Sequence, residues 1–165
     1  MPALLLRHGH ALPRGGWHDD DRLRPLNDRG LAEADELVAM LRPFGPVRIV
    51  SSPLLRCRQT VAPLADAVDV TVESASWLAP LAAVSAATVV RRMAIDLSDP
   101  VVFCTHGEVI EALQVHVGQE TPAVFGPKSP REKASVWVLD WSDGRFVAAR
   151  YLPPPRVGRQ RRAVE

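Results

Sequence analysis

Only two cysteines, Cys57 and Cys104, occur in the 165 residues. One falls in a helical pattern and the other in a buried-strand pattern, which argues against a disulfide framework and favours a reducing, cytoplasmic setting. No stretch approaches the roughly 20 consecutive apolar residues of a membrane-spanning helix. The first residues also lack a basic segment leading into a long apolar run, so neither membrane insertion nor secretion is expected. An excess of one charge is missing as well: 20 basic side chains face 19 acidic ones. That balance excludes a global attraction to nucleic acid or to an anionic membrane, so any polyanion site must be local.

What is present is an ordinary folded composition, with 47% hydrophobic and 24% charged residues, in a length that suits one domain. The domain is expected over residues 1–152, followed by a solvated tail, residues 153–165, that begins Pro153-Pro154-Pro155 and carries Arg156, Arg159, Arg161 and Arg162. Ala3-Leu4-Leu5-Leu6, Arg48-Ile49-Val50 and Val101-Val102-Phe103-Cys104 are short apolar runs ended by polar residues, the pattern of central strands covered on both faces. Leu31, Ala34, Leu37, Val38 and Leu41 recur at helical spacing after Asn27, a suitable N-cap, and before Pro43. A second helix is expected from about Pro53, with Ser52 as its cap, Leu54, Val61, Leu64, Ala65 and Val68 on one face, and a bend at Pro63. Val70-Thr71-Val72 reads as a strand, residues 84–97 as a helix, and Val109, Ile110, Leu113 and Val117 as a helix after Gly107. Residues 135–139 and 145–149 flank Ser142-Asp143-Gly144 as a hairpin, so antiparallel strands are expected near the C-terminus of an α/β sheet.

In open α/β sheets, ligands bind where the carboxyl ends of strands meet helix starts. Arg7 and His8 follow the first strand, Arg56 and Arg58 come just after "IVSSP", and His106 follows "VVFCT". Cations gathered this way repel one another and depress the histidine pKa values unless an anion joins them. Phosphate fits, because guanidinium forks match phosphoryl oxygens and a helix N-terminus adds backbone donors. A neutral imidazole among such cations keeps the lone pair that a nucleophile needs. Arg58, two residues along the helix, is as well explained by a solvated position as by a phosphate contact. His8-Gly9-His10 with Asp19, Asp20 and Asp21 is also a conceivable zinc donor set. It would leave the arginines unexplained and set them against a dication, so no metal and no cofactor is expected. His10 reads as a pocket-wall or surface residue, Trp17 as a residue that could face substrate, and His116 as structural. Cys57 and Cys104 read as packing residues.

The segments "LLLRHG", "RPLNDRG", "SSPLLRCRQT" and "VVFCTHGEVI" stand in the order and approximate spacing of the histidine phosphatase superfamily, also called phosphoglycerate mutase-like, which the chain resembles over residues 4–110. The resemblance implies a three-layer α/β/α sandwich with a mostly parallel sheet and a metal-independent mechanism. In that mechanism His8 attacks phosphorus, Arg7 and Arg56 hold the phosphoryl oxygens, His106 stabilises the transferring group, and water then hydrolyses phospho-His8. Gly9, Gly107, Arg58, Glu108 and His10 would complete the phosphate and substrate site, the glycines by letting backbone approach closely. The short length is similar to compact bacterial phosphohistidine phosphatases. "EKASVWVLDW" is similar to the phosphatase domain that follows a Nudix domain in some actinobacterial nucleotide hydrolases.

Larger members of that family carry a catalytic carboxylic acid in the segment after the fourth strand, whereas "SASWLAPLAA", residues 74–83, has none. Glu73, Glu108 and Asp19 to Asp21 are the nearest alternatives as proton donor, and none matches the family position. An acid matters most for poor leaving groups. Its absence therefore favours phosphohistidine protein or a nucleotide-type phosphoanhydride as substrate over sugar phosphates. A non-catalytic phosphate-binding regulatory module with the same pocket is the alternative. The expected partner is a phosphorylated small molecule or a phosphohistidine protein, with no membrane and no nucleic acid. The chain has no Nudix box, so a separate Nudix-type partner would have to supply that chemistry.

Overall fold

The computed structural model describes residues 2–80, 84–95, 97–126 and 128–158. Six strands form one sheet: β1 (Pro2–Arg7), β2 (Arg48–Ser51), β3 (Val72–Ser74), β4 (Val101–Thr105), β5 (Val136–Ser142) and β6 (Arg145–Leu152). Their order is β3-β2-β4-β1-β5-β6. β1 to β4 run parallel, β5 is antiparallel to β1, and β6 is antiparallel to β5.

The apolar runs do not alternate because both sheet faces are covered. Leu4 and Leu6 of β1, with Val102 and Cys104 of β4, face a layer built from α1 (Asp28–Leu41) and α2 (Leu55–Val68). Ala3, Leu5, Val101 and Phe103 face the opposite layer of α3 (Ala86–Ala94) and α4 (Gly107–Glu120). This is the three-layer α/β/α sandwich with antiparallel strands at the C-terminal end. Each fully buried leucine contributes roughly 1.5–3 kcal/mol of transfer free energy. The β5–β6 turn places Asp143 at φ 51° and Gly144 at φ 78°, the two left-handed residues of a two-residue hairpin.

Several local expectations shift. α1 is capped as expected, with the Asn27 side chain accepting from Gly30 N–H, but its buried face is Gly30, Glu33, Ala34, Leu37 and Leu41, while Leu31 is exposed. α2 begins at Leu55 and has Leu54, not Ser52, at its cap position. The Ser52 hydroxyl lies 2.8 Å from the His106 ring instead and makes only a 3.4 Å contact with Leu54 N–H. Pro63 lies inside α2, which continues to Val68. The strand expected at 70–72 starts only at Val72, because Asp69 closes α2 in a left-handed conformation and Val70 N–H bonds back to the Ala65 carbonyl. The helix expected over 84–97 is ordered as Ala86–Ala94 behind a Ser85 cap, with residue 96 outside the described residues. Of the tail, residues 153–158 are described, and Arg159, Arg161 and Arg162 lie outside them.

Candidate active site

β2, β4 and β1 are adjacent, so the residues following them meet at one sheet edge. A cavity of about 300 Å³ opens there, lined by Arg7, His8, Arg14, Arg24, Arg56, His106, Glu108 and Lys133 together with residues 11–13. The His8 and His106 rings stand edge to face with centroids 5.2 Å apart.

The His8 ring is oriented by its own loop. Nδ1 lies 2.7 Å from the Gly9 carbonyl. A carbonyl only accepts, so Nδ1 carries the proton and Nε2 keeps its lone pair. Burial, followed by the charges of Arg56, Arg7 and Lys133, outweighs that hydrogen bond and pushes the His8 pKa down to about 3. The ring is therefore neutral at physiological pH. His106 is pushed down to about 2, first by burial and then by His8 and Arg56. Its Nε2 faces Ser52 Oγ at 2.8 Å and Cys57 Sγ at 3.4 Å.

Two guanidiniums stand beside these rings, Arg56 buried and Arg7 half-buried. Arg7 Nη1 donates to the Arg131 carbonyl at 2.7 Å. Arg56 donates from Nη1 to the Asp21 carbonyl at 3.0 Å and from Nη2 to its carboxylate at 3.2 Å. The Nε–H of each is buried without a hydrogen-bond partner among the described residues, and burial lowers both pKa values. Lys133 is lowered as well, by burial and then by Arg7 and Arg24. So much positive charge around so little carboxylate is a standing cost that a doubly charged anion offsets. Gly107 makes the packing possible: a Cβ there would lie 2.9 Å from Arg7 Cζ.

Of the residues singled out from sequence, Arg7, His8, Arg56, His106 and Glu108 line the cavity. Gly9 and Gly107 lie in the backbone beside it. Arg58 does not: it is on the exposed side of α2, two residues from Arg56 and hence turned by about 200° around the helix. His10 does not line the cavity; its Nδ1 lies 2.7 Å from Glu33. Asp21 spends its carboxylate on Arg24 at 2.8 Å and Arg56 at 3.2 Å. Burial pulls its pKa up, but the hydrogen bond from Arg24 and the nearby guanidinium charges hold it below the usual carboxylate range, so Asp21 is no acid. Glu73 is bound bidentately by Arg48 at 2.8 Å on the sheet edge, away from the cavity. Among the candidate proton donors only Glu108 lines the cavity, exposed and 3.7 Å from Arg14. Asp19 and Trp17 line a second cavity of about 510 Å³ that shares Arg14 and Glu108 with the first.

Among the described residues no group of three or more His, Cys, Asp or Glu side chains is placed to hold a metal ion. No described helix is long and apolar enough to cross a membrane. Arg14, Arg24, Lys133, Ser52 and Glu33 were not found by sequence reasoning. Arg24 sits inside "RPLNDRG" and Lys133 inside "EKASVWVLDW", so the motif positions were visible but not the side chains that turn inward.

The family model described as "Histidine phosphatase superfamily (branch 1)" matches residues 3–79. An 8-oxo-(d)GTP phosphatase of Mycolicibacterium smegmatis is 36% identical over 156 residues, covering 92% of this chain and 48% of that protein. The chain thus spans about half the length of this curated relative. Among solved structures, the protein histidine phosphatase SixA complexed with tungstate superposes with a TM-score of 0.70 at 19% identity, covering 90% of this chain and 96% of the other. A phosphoserine phosphatase from Entamoeba histolytica gives a TM-score of 0.71 at 14% identity, with 91% and 95% covered. At these identities the two structures speak for the fold alone.

Proposed function

We propose that the chain is a phosphatase of the histidine phosphatase superfamily, whose family model matches residues 3–79, and that His8 accepts a phosphoryl group and passes it to water. The observation that carries this reading is the His8 ring itself. It is neutral, holds its proton on Nδ1, and stands in an arginine-lined cavity of about 300 Å³, roomy enough for a phosphoryl group. Nε2 attacks phosphorus and the bond to the leaving group breaks, the leaving group taking the electron pair. Arg7, Arg56 and Lys133 balance the charge on the equatorial oxygens, and His106 at the start of α4 adds a polar contact. Water then attacks phosphorus, the bond to Nε2 breaks, and the lone pair returns to the ring while the proton of the water leaves with phosphate or solvent.

Among the described residues, Glu108 is the candidate acid that lines this cavity, and it is exposed. Substrates that need little protonation, phosphoanhydrides or phosphoramidates, suit it better than alkyl phosphates. The 36% identical relative, named for 8-oxo-(d)GTP, supports the nucleotide side of that pair.

The test is a panel graded by leaving-group basicity, run with and without chelator: an activated aryl phosphate, an alkyl phosphate, a phosphohistidine peptide and nucleoside polyphosphates. Chelator-resistant turnover confined to the good leaving groups, abolished along with the phosphoenzyme in His8→Ala, is the expected result. Full activity of His8→Ala overturns the proposal. No hydrolysis of even the aryl ester, with calorimetric phosphate binding that needs Arg7 and Arg56, would put a binding module in its place.

A further inference from the structure

The loop that carries His8 is held by a buried carboxylate that sequence reasoning did not single out. Glu33, on the inner face of α1, is fully buried. Its Oε2 accepts the backbone N–H of His10 at 2.9 Å, and its Oε1 accepts His10 Nδ1–H at 2.7 Å and faces Arg29 Nε at 3.3 Å. The N–H of His10 and the carbonyl of Gly9 belong to one peptide group, and that carbonyl accepts the Nδ1 proton of His8. A continuous line therefore runs from the Glu33 carboxylate through the peptide to the His8 ring.

The local packing serves this line. A Cβ on Gly9 would lie 3.0 Å from Glu33 Oε2, and one on Gly30 would lie 2.0 Å from the His10 carbonyl oxygen. Glycine at both positions lets α1 press its carboxylate onto the loop. On the other side Thr60 of α2 accepts Gly9 N–H at 3.0 Å and donates to the Arg56 carbonyl at 2.7 Å. Asn27 N–H holds the His10 carbonyl at 3.0 Å. The Gly9–His10 peptide thus cannot turn over without breaking its bonds to Glu33 of α1 and to the His8 ring, and the peptides on either side of it are pinned by Thr60 and Asn27.

We propose that Glu33 is a positioning residue for the phosphoryl-accepting imidazole, acting through the Gly9–His10 peptide. A negative charge at the N–H end of an amide draws electron density toward its carbonyl oxygen, and hydrogen bonds in series strengthen one another. The Gly9 carbonyl becomes a better acceptor, His8 keeps its proton on Nδ1, and Nε2 is the more basic and better aimed nitrogen. When Nε2 bonds to phosphorus the ring becomes cationic, and the polarised carbonyl stabilises the Nδ1–H it still holds. The role resembles that of a carboxylate behind a catalytic histidine, with one peptide group interposed. This inference rests on the reading of His8 as the phosphoryl acceptor.

Glu33→Gln keeps the side-chain volume and one acceptor oxygen while removing the charge. The free enzyme, with histidine labelled in ¹⁵N, is read first. Wild-type His8 should show a protonated Nδ1 and an unprotonated Nε2, and the variant should gain the opposite tautomer. The burst of phospho-His8 formation from an activated aryl phosphate should slow by about 10- to 100-fold, with KM changed less than about twofold. If the variant fails to fold, Arg29→Gln serves: it removes an exposed cation from the same carboxylate and should move the His8 Nδ1–H resonance downfield. Variant resonances and burst rates equal to wild type, with only Tm lowered, would reduce Glu33 to a structural residue. The nitrogen spectra need no substrate, so they judge the relay separately from turnover of His8→Ala, which judges the phosphatase reading.

Discussion

The two walls of the cavity are built on opposite plans. The inner wall, at the ends of β1, β2 and β4, is buried and heavily determined: His8 is fixed by Gly9, Gly9 by Thr60, and His106 lies against Ser52 and Cys57. The outer wall, residues 12–24 with Glu108, is largely exposed, and its contacts are mostly with itself, such as Trp17 Nε1 to the Asp20 carbonyl at 2.9 Å and Arg22 on Asp20. The difference separates chemistry from selection. On the proposed reading the transferred group would meet a buried, cationic surface, and the departing group a loop whose side chains can be exchanged at small cost to the fold.

The largest effect should come from the inner wall. Arg56→Ala removes a buried donor beside the phosphoryl group and frees Asp21, so kcat with an aryl phosphate should fall about 10²- to 10³-fold. Retention of more than a tenth of wild-type kcat would mean that the inner wall is not what holds the transition state.

An intermediate effect concerns pH. The folded-state pKa values of about 3 for His8 and about 2 for His106 lie below the ordinary 6.5. Between pH 6.5 and 3 the unfolded chain binds protons that the folded one refuses, so stability falls as pH is lowered through that window. Activity should not follow a histidine titration there: kcat/KM, corrected for ionisation of the substrate, should stay flat from pH 7 to 5 while the urea midpoint drops. An acid limb centred near 6.5 would show that His8 is solvated rather than buried.

The smallest effect belongs to the outer wall. Glu108→Gln should change aryl phosphate turnover by less than about threefold, as expected of an exposed side chain outside the buried network. A loss above tenfold that grows with leaving-group basicity would instead make Glu108 the proton donor and erase the contrast between the walls.

The inner wall was largely legible in the sequence, and the reasons are local. A period-free apolar run such as Leu4-Leu5-Leu6 announces a covered strand, and polar residues at its end have only the sheet edge to occupy. Glu33 was hidden because it occupies the same helical face as Ala34, Leu37 and Leu41, where an acid reads as a break in the stripe rather than as part of it. The sign that could have revealed it is that break, opposite a His-Gly-His loop in need of donors and acceptors. Ser52 was misassigned because a serine before proline and an apolar helix resembles a cap, whereas the ring of His106 competes for its hydroxyl from 54 residues away. Arg58 differed from Arg56 by rotation around α2 alone, which requires the helix start to be known within one residue.

The place of β1 between β4 and β5 bears on how the protein is made. Within the domain, the strand that leads into His8 is made before either of its partners, residues 101–105 on one edge and 136–140 on the other. Until these have emerged Leu4-Leu5-Leu6 has both backbone edges unpaired, as aggregation-prone segments do. Contacts this distant along the chain also close slowly. The cavity around His8 therefore cannot be assembled until residues 136–140 have emerged, so a chain still lacking them carries His8 without the pocket that would give it a role.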